Sequence, residues 1–246
     1  MVSIRKYLKQ RKAATHWSEQ DQIMLDFYSQ FISAGDLVFD IGANVGNRTK
    51  IFLKMKNKVL AVEPQDDCLE ILHRFYGKNS DLTILDNVVG PNEGEAELMI
   101  SDANTLSTLS QDWIQDVKNS GRFADYSWNG SKTTGMKTLD QLISKYGIPA
   151  FIKIDIEGFE YEALKGLTQP VNNISIEFTP ECLKTTINCI DHLESLAQGA
   201  YNLSLDESMQ FKLDDYVSAE KMKTILSDYQ QDTSVFGDFY YKPLES

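Results

Sequence analysis

The 246-residue sequence is poor in the residues that build redox and metal frameworks. It has three cysteines (Cys68, Cys182, Cys189) and three histidines. An odd cysteine count, with no CxxC and no zinc-type His spacing, argues against a disulfide framework or a zinc site. A reduced, cytoplasmic setting is the simplest expectation. Long apolar runs are missing as well. No stretch approaches the roughly 18 residues that span a bilayer, and the first residues lack the apolar core of a secretory signal. Positive charge is scarce: 24 Lys and Arg stand against 36 Asp and Glu, a net charge of −12. Such a chain lacks the basic face that coats nucleic acid. What remains is ordinary globular composition, with 42% hydrophobic residues and enough length for a sizeable core in one large α/β domain.

The charge is unevenly spread. Residues 1–18 hold Arg5, Lys6, Lys9, Arg11 and Lys12 and no acid, so the remainder carries −17. Ile4 and Leu8 are spaced for a short basic helix, either a solvated arm or a peripheral contact with an anionic membrane or substrate. Residues 19–34 place Ile23, Phe27, Phe31 and Ile32 at helical spacing, and Gly35 ends that helix.

From residue 37 the pattern alternates between strand and helix. LVFDIG (37–42), VLAVEP (59–64) and LTILDNVV (82–89) read as strands, with helices at 47–56 and 66–78 between them. Alternation of this kind implies right-handed crossovers and a parallel sheet. EAELMIS (95–101) alternates like a hairpin strand added to that sheet, and 103–135 reads as irregular apart from a short helix near 110–118. Thr138 and Gln141 form a capping box ahead of the next helix. AFIKIDIEG (150–158) is a fourth strand with its loop, ISIEFTP (174–180) a fifth. A helix over 181–198 precedes two late strands, 201–206 and 238–243, the second antiparallel. The expected division is a helical arm or cap over 1–36 and a Rossmann-like domain over 37–246.

The strongest motif is Asp40-Ile41-Gly42-Ala43-Asn44-Val45-Gly46, between the first strand and the next helix. Glycines there let the backbone turn tightly and approach a ligand. Glu63 follows 23 residues after Asp40, near the spacing between a nucleotide-binding loop and its ribose carboxylate. The GxGxxG that faces a pyrophosphate is missing. An acid beside the loop is awkward for a diphosphate and suits a ligand with an ammonium and no phosphate. S-adenosylmethionine is such a ligand, so the charge pattern favours a methyltransferase over an NAD-dependent oxidoreductase.

VFDIGANVGNRT, AVEP, TLDQLI, FIKIDIEGFEYEALKGL and ISIEF together resemble the FkbM family of S-adenosylmethionine-dependent methyltransferases, from about Leu37 to Phe178. The resemblance implies a class I fold: a seven-stranded, mostly parallel sheet with an antiparallel final strand and helices on both faces. It implies O-methylation, often of a hydroxyl on a sugar or another small metabolite. Carried over by position, Asp40, Gly42, Asn44 and Gly46 line the methionine and ribose end of the cofactor. Glu63 holds the ribose hydroxyls, and Asn87 is a candidate for the adenine edge.

Asp155 and Glu157 form a second constellation, at the sheet edge where open α/β folds bind ligands. Two apart on a regular strand, they would share a face. An alcohol needs help to lose its proton, and either carboxylate can accept it. The pair can instead hold Mg²⁺ with Glu177, although no metal is expected, or Glu157 can cap the following helix. Lys153 is a partner of these acids, a group that polarises a substrate, or a solvated strand residue. His73 and His192 read as helix residues without chemistry, and His16-Trp17 as an anchor of the first long helix or a cap over the pocket. Asn104, Ser107, Thr108, Trp113, Tyr126 and Trp128 make the 103–135 segment polar and aromatic, suited to stacking on a sugar, covering a cofactor or a plain surface excursion. A cofactor-binding protein without catalysis is the remaining alternative.

Overall fold

The computed structural model describes residues 14–244. The cationic part of the N-terminal segment, Arg5 to Lys12, lies outside the described residues. The chain is an α/β fold built on seven strands in the order β3-β2-β1-β7-β8-β10-β9. These are β1 (Leu37–Ile41), β2 (Lys58–Val62), β3 (Leu82–Leu85), β7 (Phe151–Ile154), β8 (Asn173–Phe178), β9 (Gly199–Leu205) and β10 (Gly237–Pro243). Strands β3, β2, β1, β7 and β8 pair in parallel. β10 runs antiparallel to both neighbours, filling the gap between β8 and β9. The strand order reverses at β1, beside β7. The crevice outside the strand ends at such a reversal is where open α/β sheets bind ligands.

Near-continuous apolar strands bury both faces of the sheet, as parallel sheets require. On one face Phe39, Ile41, Ile152, Ile154, Ile174 and Ile176 pack beneath α5 (Leu139–Tyr146), α6 (Glu160–Lys165), α7 (Leu183–Leu196) and α8 (Ala219–Asp228). On the other face Val38, Val59, Phe151 and Tyr240 meet α1 (Glu19–Tyr28) and α2 (Asn47–Lys54). Helix α3 (Asp66–Phe75) packs Leu72 against Ala43 and Ala61. Helix α1 starts at a capping box between Ser18 and Asp21. It buries Met24, Phe27 and Tyr28, while Ile23 is on the exposed side, contrary to the expected inward face. Lys50 of α2 ties this helix down through Asp21 at 2.7 Å, and with Lys54 it lies over the Trp17 ring. His16 is exposed, and its carbonyl accepts from Lys50 at 3.4 Å.

Three expectations are corrected. The third strand splits: β3 ends at Leu85, and Val88–Val89 (β4) leaves the main sheet. The 95–101 segment does not extend the main sheet. It forms β5 (Gly94–Ile100) in a separate three-stranded sheet, ordered β4-β6-β5. Its central strand, β6 (Gly130–Lys137), lies in the stretch expected to be irregular. GSKTTGMK has no apolar alternation because only Thr134 is fully buried there, so pairing with β5 rather than a core creates the strand. Helix α4 (Gln111–Ser120) sits between β5 and β6, capped by the Ser110 hydroxyl.

Candidate active site

A cavity of about 440 Å³ opens at the C-terminal ends of β1, β2 and β7, within the size range of cofactor sites. Asp40, Gly42, Asn44, Glu63, Asn87, Asp155 and Glu157 all line it. The loop after β1 has a fixed shape. Gly42 has φ +83°, and a β-carbon there would stand 1.9 Å from the Asp155 carbonyl oxygen, so only glycine lets the two loops touch. Asn44 is also left-handed, at φ +50°. Gly46 is outside the cavity lining. It caps α2 at φ +86° and lies against Leu72 and Tyr76, a packing position. Asp40 is fully buried and accepts the Thr49 hydroxyl at 2.5 Å; burial raises its pKa.

Glu63, at the end of β2, is 2% exposed. Its two oxygens accept the backbone N–H of Asn44 at 2.8 Å and of Gln65 at 2.7 Å. These bonds aim the carboxyl while leaving acceptor positions over. Burial pushes its pKa up to about 7. A buried carboxyl gripped by the loop it serves suits the paired hydroxyls of a ribose. Together with the Gly42 cradle and the acids beside it, the donor set fits a nucleoside with a cationic tail. Asn87 donates its side-chain amide to the Gly135 carbonyl at 2.9 Å, which joins the two sheets at the cavity wall.

Strand β7 ends at Ile154, so Asp155 and Glu157 do not share a strand face. Glu157 instead sits in a left-handed turn at φ +55°. The turn still gathers acids: Asp155, Glu157 and Glu177 each place one oxygen within 4.8 Å of the others, all half-buried. Burial, with the neighbouring Asp155 charge, pushes Glu157 and Glu177 well above the usual carboxylate range. Glu157 caps nothing. Helix α6 has no side-chain cap, and the turn is held instead by Glu160, which no sequence pattern marks. It is 5% exposed, and its Oε1 accepts the Ile156 and Gly158 N–H groups at 3.1 Å each. Burial pushes its pKa up to about 7.

Lys153 is not solvated. It is 2% exposed and donates to Asp238 at 2.8 Å and Asp155 at 3.2 Å. Burial alone would lower its pKa, but the two carboxylates override that and hold it well above the usual value. Asp238 comes from β10, 85 residues on, and no local pattern announces it. Arg48 and Glu207 also line the cavity and were not singled out by the sequence.

The segment after β5 closes one side. The Ser107 hydroxyl bonds Gln65 at 2.8 Å, and the Thr108 hydroxyl bonds the Glu157 carbonyl at 2.6 Å. The aromatics there do not offer a stacking platform. Trp113 is 2% exposed against Trp128 and Phe123, and only Tyr126 is substantially open. His73 is exposed, His192 bonds the Leu167 carbonyl, and neither lines the cavity. Among the described residues no helix is long and apolar enough to cross a membrane.

No curated protein matches the chain. Among solved structures, a TehB-like SAM-dependent methyltransferase from Corynebacterium glutamicum is 8% identical, with a TM-score of 0.47 over 97% of each chain. A precorrin-6y C5,15-methyltransferase from Geobacter metallireducens is 9% identical, with a TM-score of 0.46 over 91% of this chain and 87% of that one. The family model described as the methyltransferase FkbM domain matches residues 40–194, more than half of the sequence, and the chain belongs to that family.

Proposed function

We propose that the protein transfers a methyl group from S-adenosylmethionine to a hydroxyl oxygen of a sugar or another small metabolite. The observation that carries this reading is the joining of the Asp40–Gly46 loop to Glu63 by the 2.8 Å bond at Asn44, in the cavity that also holds the Asp155 and Glu157 carboxyls. When bound, the cofactor supplies an electrophilic methyl group on a sulfonium. Glu63 holds the ribose, Asp40 and the Gly42 backbone shape the methionyl end, and Asn87 stands at the adenine side. Asp155 or Glu157 takes the acceptor proton. Burial and the Asp155 charge raise the Glu157 pKa, so its carboxylate is a stronger base than a free one. Lys153 orients Asp155 by its 3.2 Å bond. The 101–110 segment keeps water from the reacting atoms, and most of the rate comes from positioning.

The test is calorimetric binding of S-adenosylmethionine, followed by a methyl-transfer screen across sugars with and without Mg²⁺. Wild type that binds no cofactor ends the proposal. Methylation of nitrogen or carbon acceptors alone would end its oxygen-specific part. Activity abolished by a chelator and restored by Mg²⁺ would move the proton-releasing role to a cation held by Asp155, Glu157 and Glu177.

A further inference from the structure

We propose that Arg48 is a carboxylate receptor within this cavity, and that Glu207 fills its place until a ligand arrives. The inference rests on the reading of the cavity as a methyltransferase pocket. Arg48 is the second residue of α2, just past the cofactor loop, and lines the cavity. A guanidinium offers five N–H donors in a flat fork that matches the two oxygens of a carboxylate. Here that fork is mostly unspent. Nη2 donates to a single oxygen of Glu207 at 2.6 Å, and Nη1 faces only the Met24 sulfur, a weak acceptor, at 2.9 Å. Nε is buried without a partner.

An unmet buried donor is costly, and a ligand oxygen would relieve it. The two partners of the ion pair differ in exposure: the Arg48 side chain is 16% exposed, that of Glu207 59%. The acid can therefore swing into water while the guanidinium stays. The loop itself stays too, because Gln20 donates to the Glu207 carbonyl at 2.7 Å. Lys153, the other cavity cation, is already committed to Asp155 and Asp238. Acids around both cations disfavour a dianion such as phosphate and leave a singly charged, planar carboxylate as the matching group. It can come from the methionyl tail of the cofactor or from the acceptor.

Titrations of S-adenosylhomocysteine and of 5′-methylthioadenosine, the same nucleoside without the amino-acid tail, separate the sources. They are run on wild type, Arg48→Gln and Glu207→Gln. Unchanged methylthioadenosine binding in all three shows that the pocket is intact. If the cofactor supplies the carboxylate, S-adenosylhomocysteine binds roughly ten- to hundredfold more weakly to Arg48→Gln and more tightly to Glu207→Gln. If the acceptor supplies it, S-adenosylhomocysteine is unaffected. In its presence D-glucuronate then binds wild type in preference to D-glucose, and Arg48→Gln loses the preference. Carboxylate probes that bind wild type and Arg48→Gln alike would overturn the proposal. So would equal weakening by both variants, the mark of an ion pair that only shapes the mouth. If neither nucleoside binds wild type, the cofactor reading itself fails and this inference with it.

Discussion

The α-carbon of Gly42 and the carbonyl of Asp155 are in such close contact that a single added methyl group would lie 1.9 Å from the oxygen. The loop after β1 and the acidic turn are therefore one mechanical unit, although Gly42 and Asp155 are 113 positions apart in the sequence. Gly42→Ala is expected to cost about 2–4 kcal/mol, from the clash and the left-handed backbone together. It is also expected to abolish cofactor binding. Urea unfolding measures the first and calorimetry the second; a midpoint equal to wild type would show that the loops are free to part.

Glu63 gives a pH signature. Its carboxyl is pushed up to about 7, and its ionised form accepts ribose hydroxyls best. Cofactor affinity is expected to rise with pH through about 7 and then level, with a proton released on binding. Glu63→Gln should bind about ten- to hundredfold more weakly and show a flat profile. Titrations in buffers of different ionisation enthalpy count the proton.

Stability should respond to pH in the opposite sense. Burial raises Glu63 and Glu160 to about 7 from a usual value of 4.5, so the folded chain holds their protons more tightly than the unfolded chain. Their contribution is full below about pH 4.5 and is lost as pH rises through about 7. Glu160→Gln keeps an acceptor for the Ile156 and Gly158 amides and should remove part of that slope. Glu160→Ala leaves both amides unmet and should cost about 1–3 kcal/mol. Denaturant midpoints at intervals from about pH 5 to about pH 8 decide the matter.

Lys153→Met leaves Asp238 buried beside one fewer cation, and a loss of about 3–5 kcal/mol is expected. Removing both charges, as Lys153→Met with Asp238→Leu, should cost less than the two single changes added together. Additive costs would mean that the 2.8 Å pair is not the term that matters.

For the chemistry, Asp155→Asn or Glu157→Gln, whichever removes the base, should lower turnover about a hundredfold or more with cofactor affinity nearly unchanged. Product S-adenosylhomocysteine, quantified against time, reports the first quantity. Loss of cofactor binding instead would assign these acids to the cofactor and not to the acceptor proton.

The parallel half of the sheet was legible because its strands are buried on both faces, and uninterrupted runs such as VLAV (59–62) leave one reading. The glycine loop and Glu63 were legible because a fixed spacing encodes a fixed crossover. The rest depends on partners far away in the chain. Lys153 interrupts an apolar strand, and only Asp238 explains it. β6 is a strand because β5 pairs with it, not because of its own side chains. Glu157 and Glu160 are chemically alike and three residues apart, so nothing local says which one caps the turn. The Arg48–Glu207 contact joins residues 159 positions apart.

The placement of β10 has a consequence for synthesis on the ribosome. Chains are made from the N-terminus, and β10 is the last strand to emerge, yet it belongs between β8 and β9. Until residues 237–243 are available, β8 and β9 each show an unpaired edge to other nascent chains. Lys153 also waits without the Asp238 carboxylate. The Asp40–Gly46 loop and Glu63 emerge much earlier. A chain stopped short of Gly237 would therefore carry the Asp40–Gly46 loop and Glu63 on a sheet whose β8 and β9 edges stay open to aggregation.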